Sequence, residues 1–236
     1  MTGASGGLGR VVLPMFLEAG YGVAAVALDW EERPVLSPAL LPMKADLTKP
    51  AEARAAVAKT VERFGRLDCV VHLVGYFGPE SPIEEISDET FTRTIEVNLR
   101  AAFHMIRAAV GPMRAAGGGR MVLVGSTVAE QPVVTWGAFS AAMGGLKALV
   151  QVASAELRKD GITVNLVNPS SIYTPAVGEA LGAAEAGRWV KPEAMGALML
   201  WLCSEAGADV SGASIAMPGR MEHPAYVWPG VVPELK

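Results

Sequence analysis

The chain has 236 residues, 51% of them hydrophobic, with a formal net charge of −4. That length suits one α/β domain, and the apolar share can build a large core. The mildly acidic balance argues against nucleic acid or an anionic membrane as the main partner. No uninterrupted apolar run approaches the length of a membrane span and no signal peptide is recognisable; the expectation is a cytoplasmic protein. Cys69 and Cys203 are the only cysteines. Both lie in apolar runs and read as buried free thiols rather than a disulfide or a metal site.

The first element is a glycine-rich turn, Thr2-Gly3-Ala4-Ser5-Gly6-Gly7-Leu8-Gly9, with almost nothing in front of it. Gly3, Gly7 and Gly9 let a backbone turn tightly and approach a pyrophosphate closely. Thr2 and Ser5 add hydroxyl donors. Residues 10–19 then read as a helix whose free N–H groups face the phosphates. Residues 22–28 form a short apolar run ending in Asp29, read as a buried strand. Residues 41–45 form a second run, ending in Asp46-Leu47, after which Thr48 can cap a helix over 51–64 with Pro50 in its first turn.

Residues 67–74 are the next strand, Ser87 caps a helix to about 97, and another helix covers 101–113. Ala116 to Gly119 break it before a strand over 121–124. A long helix spans 137–157, a strand 162–167, a helix 192–204 and a last strand 213–216. This alternation predicts a single-domain, Rossmann-like, doubly wound parallel sheet with helices on both faces. The tail over 218–236, rich in Pro, Tyr and Trp, reads as irregular and packed on the surface or on a neighbouring subunit.

With these elements in order, the chain resembles the short-chain dehydrogenase/reductase family over nearly its whole length. Thr2 to Gly9, with Leu8 inside it, is similar to the family's TGxxxGxG loop. Asp46-Leu47 is similar to its adenine-contacting pair. His72-Leu73-Val74-Gly75 stands where the family has NNAG. Asn98 and Ser126 stand at its catalytic asparagine and serine. Asn168-Pro169-Ser170 is similar to its N-P-G turn, and Ile172 and Thr174 to its nicotinamide-side contacts. The family's first, central strand precedes the glycine-rich loop, and here only Met1 remains of it. The expectation is a truncated sequence with two unpaired rows of backbone groups, unless neighbouring strands close the gap.

The resemblance implies a nicotinamide cofactor, and Asp29 favours NAD over NADP. A carboxylate there accepts from the ribose 2′-OH and repels a 2′-phosphate; Glu31 and Glu32 add negative charge. The family's catalytic tyrosine and lysine fall on Phe139 and Met143. Phenylalanine has no proton to give, and methionine has neither charge nor N–H donors. Lys147, Tyr173 and Tyr76 are candidate substitutes, each with a structural alternative. Thr127, Glu130, Gln131 and Trp136 read as pocket wall, and the three histidines make no metal spacing.

Three readings follow. One is a divergent NAD-dependent oxidoreductase acting on an alcohol or carbonyl, another a non-catalytic cofactor-binding or partner subunit, and the third a non-redox cyclase or isomerase. The resemblance also implies a homo-oligomer, dimer or tetramer, built through the helices over 101–113 and 137–157.

Overall fold

Buried apolar runs set the strands. In the computed structural model, which describes residues 1–31, 34–173 and 187–220, all eight residues of β5 (Ile162–Pro169) are buried. Such a strand is covered on both faces, as parallel sheets require. Strands β3 (Cys69–His72), β4 (Gly119–Val124), β5 and β6 (Ser214–Met217) pair in that order, all parallel. Strands β1 (Val23–Ala27) and β2 (Leu40–Lys44) form a separate parallel pair, with Val23 opposite Leu40.

Helices cover both faces. Helix α1 (Gly7–Glu18) and the last helix, Pro192–Cys203, share one apolar core with Val23, Ala25, Val71 and Val122. Helices α2 (Pro50–Phe64), α4 (Ala101–Ala115) and α5 (Gly137–Leu157) share the other, with Val26, Met121 and Leu166. Helix α3 (Asp88–Ile95) runs through one π-helical turn, Glu96–Arg100, into α4; the Pro192–Cys203 helix is therefore α6.

The caps are mixed. Ser87 Oγ accepts from the Thr90 N–H at 3.1 Å and starts α3 as expected. Thr48 does not cap α2: the N-cap is Lys49, and the Thr48 hydroxyl donates to Asp46 Oδ1 at 2.7 Å. The turn before α2 is therefore made by the aspartate. Gly137–Asp160 is long and apolar enough to cross a membrane by length and composition, although Lys147, Gln151 and Glu156 interrupt its apolar run. In this fold Ala142, Leu146, Val150 and Leu157 of that helix are buried against the sheet.

The gap before the glycine-rich loop is bridged by two residues, not one. Thr2 forms parallel bridges to Val26 of β1 and His72 of β3. Its N–H donates to the Val71 carbonyl at 2.9 Å, and the Leu73 N–H donates to its carbonyl at 3.1 Å. The Val26 N–H donates to the Met1 carbonyl at 2.8 Å, and the Met1 ammonium donates to the Ala24 carbonyl at 2.8 Å. Among the described residues the two half-sheets are thus joined only at their carboxyl ends.

Below that joint lies a cavity of about 360 Å³, lined on one face by Phe16 and Tyr21 and on the other by Val57, Phe64 and Met105. β1 and β3 do not close it. By the alternation of a parallel ladder, the N–H groups of Ala24 and Val71 turn into this slot, and neither has a backbone partner among the described residues. Burial there pushes the Met1 ammonium down to about 6.

Candidate functional site

The glycine-rich loop leaves the bridging Thr2 and enters α1. Gly3 has φ +70°, and a Cβ there would stand 2.8 Å from the Leu73 carbonyl carbon. A Cβ on Gly9 would overlap the Gly3 carbonyl oxygen. Both positions require glycine because two turns of backbone touch. No side chain caps α1, so its first N–H groups face the loop mouth, the arrangement that binds a phosphate. Ser5 and Leu8 lie in the loop and first turn. The Thr2 hydroxyl is committed elsewhere, 2.8 Å from His72 Nδ1, which leaves Ser5 as the loop's available hydroxyl.

Beside this loop a cavity of about 270 Å³ brings together Gly3, Ala27, Leu28, Asp46, Leu47 and Val74. Four of these residues are ones the sequence assigns to the cofactor. Asp46 is held ionised below the usual carboxylate range, chiefly by the Thr48 hydroxyl. Its backbone N–H donates to Glu52 Oε2 at 2.6 Å. Leu47 is buried, and its carbonyl accepts from His104 Nδ1 at 3.0 Å. Sequence reading leaves His104 without a role; nothing around it announces a bond across 57 positions. Asp29, two residues past β1, lies exposed and paired with Lys44 at 2.9 Å; that hydrogen bond holds its carboxyl down.

Leu73, Val74 and Gly75 continue from β3 over the same mouth. Asn98 fixes their far end from inside the π-helical turn. Its Nδ2 donates to the Tyr76 carbonyl at 2.8 Å and the Thr94 carbonyl at 2.9 Å, while its Oδ1 accepts from the Tyr76 N–H at 2.9 Å. Both hydrogens of that amide are used. Asn98 therefore positions the loop. His72 is buried and neutral at pH 7, pushed down to about 4 by desolvation.

Past β4, Ser126 is buried, and its Oγ accepts from the Val128 N–H at 3.4 Å. Its own hydrogen has no acceptor among the described residues, so it is available to a substrate oxygen. Phe139 packs edge-on against Phe77, with centroids 5.2 Å apart, and Trp136, 6.2 Å away. Met143 is a core residue.

A family model described as enoyl-(acyl carrier protein) reductase matches residues 3–219. The chain belongs to the short-chain dehydrogenase/reductase family. It is 29% identical to L-fucose dehydrogenase of Oryctolagus cuniculus over 94% of this chain and 84% of that protein. It is 28% identical to cyclohexanol dehydrogenase of Acinetobacter, over 93% of this chain and 92% of the relative. Among solved structures, a 3-ketoacyl-(acyl-carrier-protein) reductase from Brucella melitensis complexed with NADH superposes with a TM-score of 0.84 at 25% identity, covering 93% and 96% of the two chains.

Of the candidate substitutes in this short-chain dehydrogenase/reductase, Lys147 is the one held through its reactive group among the described residues. Lys147 Nζ pairs with Glu130 Oε2 at 2.5 Å, and Glu130 Oε1 accepts from Ser214 at 3.0 Å. Tyr76 lies under the Arg93 guanidinium, 4.8 Å from its ring centroid. Tyr173 donates its backbone N–H to Val190 at 2.9 Å, next to the bridge between Ile172 and Val190. Thr174 lies outside the described residues. A nicotinamide cofactor fits what is present: Gly3 and Gly9 have no room for a side chain, and the loop, the adenine-side cavity and residues 73–75 are contiguous.

Proposed function

We propose that this chain binds NAD(H) and transfers hydride between the nicotinamide and an alcohol or carbonyl carbon, without a phenolic acid. The observation that carries this reading is the intact glycine cradle, with Gly3 and Gly9 each packed against backbone. A bound nicotinamide supplies or accepts the hydride. The glycine loop and the start of α1 hold the pyrophosphate, and Asp29, released from Lys44, accepts from the adenosine ribose. Ser126 Oγ–H donates to the substrate oxygen and orients it. Proton exchange then falls to water. Loss of a positioned acid/base costs roughly 10²–10⁴ in rate, so turnover is slow.

One observation favours a second reading, a cofactor-binding protein without turnover. Phe139 and Met143 are integrated into aromatic and aliphatic packing, and the nearby Lys147 is held by Glu130. NADH fluorescence titration, followed by oxidation assays with a carbonyl panel, separates the two. Saturable binding with slow oxidation supports the first reading, binding without oxidation supports the second, and no binding refutes both. Phe139→Tyr with Met143→Lys should raise carbonyl reduction by at least 10-fold. A folded double variant that binds NADH and remains inert would refute the placement of these side chains.

A further inference from the structure

The two cysteines meet at the end of the sheet away from the nucleotide loop. Cys69 opens β3 and Cys203 closes α6. The Cys69 thiol donates to the Cys203 carbonyl at 3.7 Å, which sets the two residues side by side. The Tyr21 hydroxyl donates to the same carbonyl at 3.4 Å, so three side and main chains converge on one point.

The pair is asymmetric. Cys69 is partly exposed and Cys203 is buried. Both line a polar cavity of about 400 Å³ together with Arg66, Asp68, Arg120 and Glu205. Glu205 at its rim is exposed, so the cavity reaches solvent. Hydride transfer at the opposite edge of the sheet uses neither sulfur. A reachable thiol on one residue and a buried thiol on the residue it touches, both lining one cavity, are the parts of an attacking and resolving pair.

We propose that Cys69 and Cys203 are a redox dithiol that closes reversibly to an intramolecular disulfide, with a small-molecule disulfide as oxidant. The Cys69 thiolate attacks one sulfur of the small disulfide. That S–S bond breaks, one small thiolate leaves and takes a proton from water, and a mixed disulfide remains on Cys69. Cys203 then gives up its proton, and its sulfur displaces the second small thiol. Two protein thiols are oxidised and one small disulfide is reduced to two thiols.

The order follows from the site. The neighbouring Cys203 holds the Cys69 thiol below its ordinary value, whereas Cys69 and burial push the Cys203 thiol up. The reachable sulfur is thus the more readily ionised one. The new bond would tie the end of α6 to the start of β3, beside the slot.

The test treats the folded full-length chain with excess oxidised glutathione, then reads free thiols after denaturation, intact mass and non-reducing mobility. The expected result is two thiols falling to zero, loss of two hydrogens in mass, a monomeric band and reversal by dithiothreitol. A melting temperature higher by on the order of 5 °C should accompany closure. Cys203→Ser should stop at one glutathione adduct on Cys69, and Cys69→Ser should leave the buried Cys203 unmodified. Thiols that stay free while the folded chain is treated, one glutathione on each cysteine, or a disulfide-linked dimer would each overturn the proposal, and all three are read on the unmutated protein.

Discussion

An extension of a few residues ahead of Met1 should stabilise this protein by filling the slot between β1 and β3. The register is fixed by the bonds already present. Met1 pairs with β1 and Thr2 with β3, so the residue before Met1 would face β3 and the one before that would face β1. The first would accept from the Val71 N–H, with its side chain on the Val57 and Met105 face; the second would accept from Ala24, with its side chain on the Phe16 and Tyr21 face. Each backbone bond contributes about 1 kcal/mol. Two valine side chains contribute roughly 2 kcal/mol each. Ordering them costs about 2 kcal/mol per residue. Removing the buried ammonium, held at about 6 against 8.0, adds roughly 1 kcal/mol at pH 7.

The net is about 3 kcal/mol, or about 5–10 °C in melting temperature for a chain of this size. Thermal melts of the chain with an extension ending in Val-Val, the same extension ending in Gly-Ser, and the unextended chain are the assay. The Val-Val form should melt highest. Melting temperatures for the two extensions within about 2 °C of each other would refute the slot as an apolar strand site.

Three further outcomes are expected. The Met1 amine and His72 both have folded pKa values below their ordinary ones, about 6 against 8.0 and about 4 against 6.5, so the unfolded chain binds more protons. Stability should therefore fall as pH drops from 8 to 6, and again from 6.5 to 4, by roughly 3 kcal/mol in each window. Urea melts across that range check it; a flat profile from pH 8 to 4 contradicts the burial of both groups. Asn98→Ala strands the Tyr76 N–H and two carbonyls, and should cost about 2–4 kcal/mol and weaken NADH binding. An unchanged melt would show the π-helical turn holds the loop without it. Asp29→Ala should raise the NADPH-to-NADH affinity ratio at least 10-fold by removing the repelling carboxylate and freeing Lys44; titrations with both nucleotides read this, and an unchanged ratio removes Asp29 from cofactor choice.

The ordered motifs made the nucleotide half legible, because backbone contact leaves glycine as the only residue that fits at Gly3 and Gly9. Helix α5 was readable to both ends, since its apolar run has no competing break before Arg158. Other features depend on partners far along the chain. The Thr48 hydroxyl turned back to Asp46 rather than forward to α2. Lys147 looked able to reach back along its helix until Glu130, 17 positions earlier, came into range. The close approach of Cys69 and Cys203 has no local signature, because strand order decides it.

The bridge at Thr2 gives the cofactor a mechanical role. The loop that starts there touches β1 through Ala4, whose N–H donates to Val26 at 3.1 Å, and touches β3 through Leu73. A dinucleotide seated on that loop would act as a clasp across the seam between two half-sheets. Its absence leaves the seam held by a handful of bonds at one end, so proteases should find the empty chain by prying it open there, and the lifetime of the protein would follow the supply of its nucleotide.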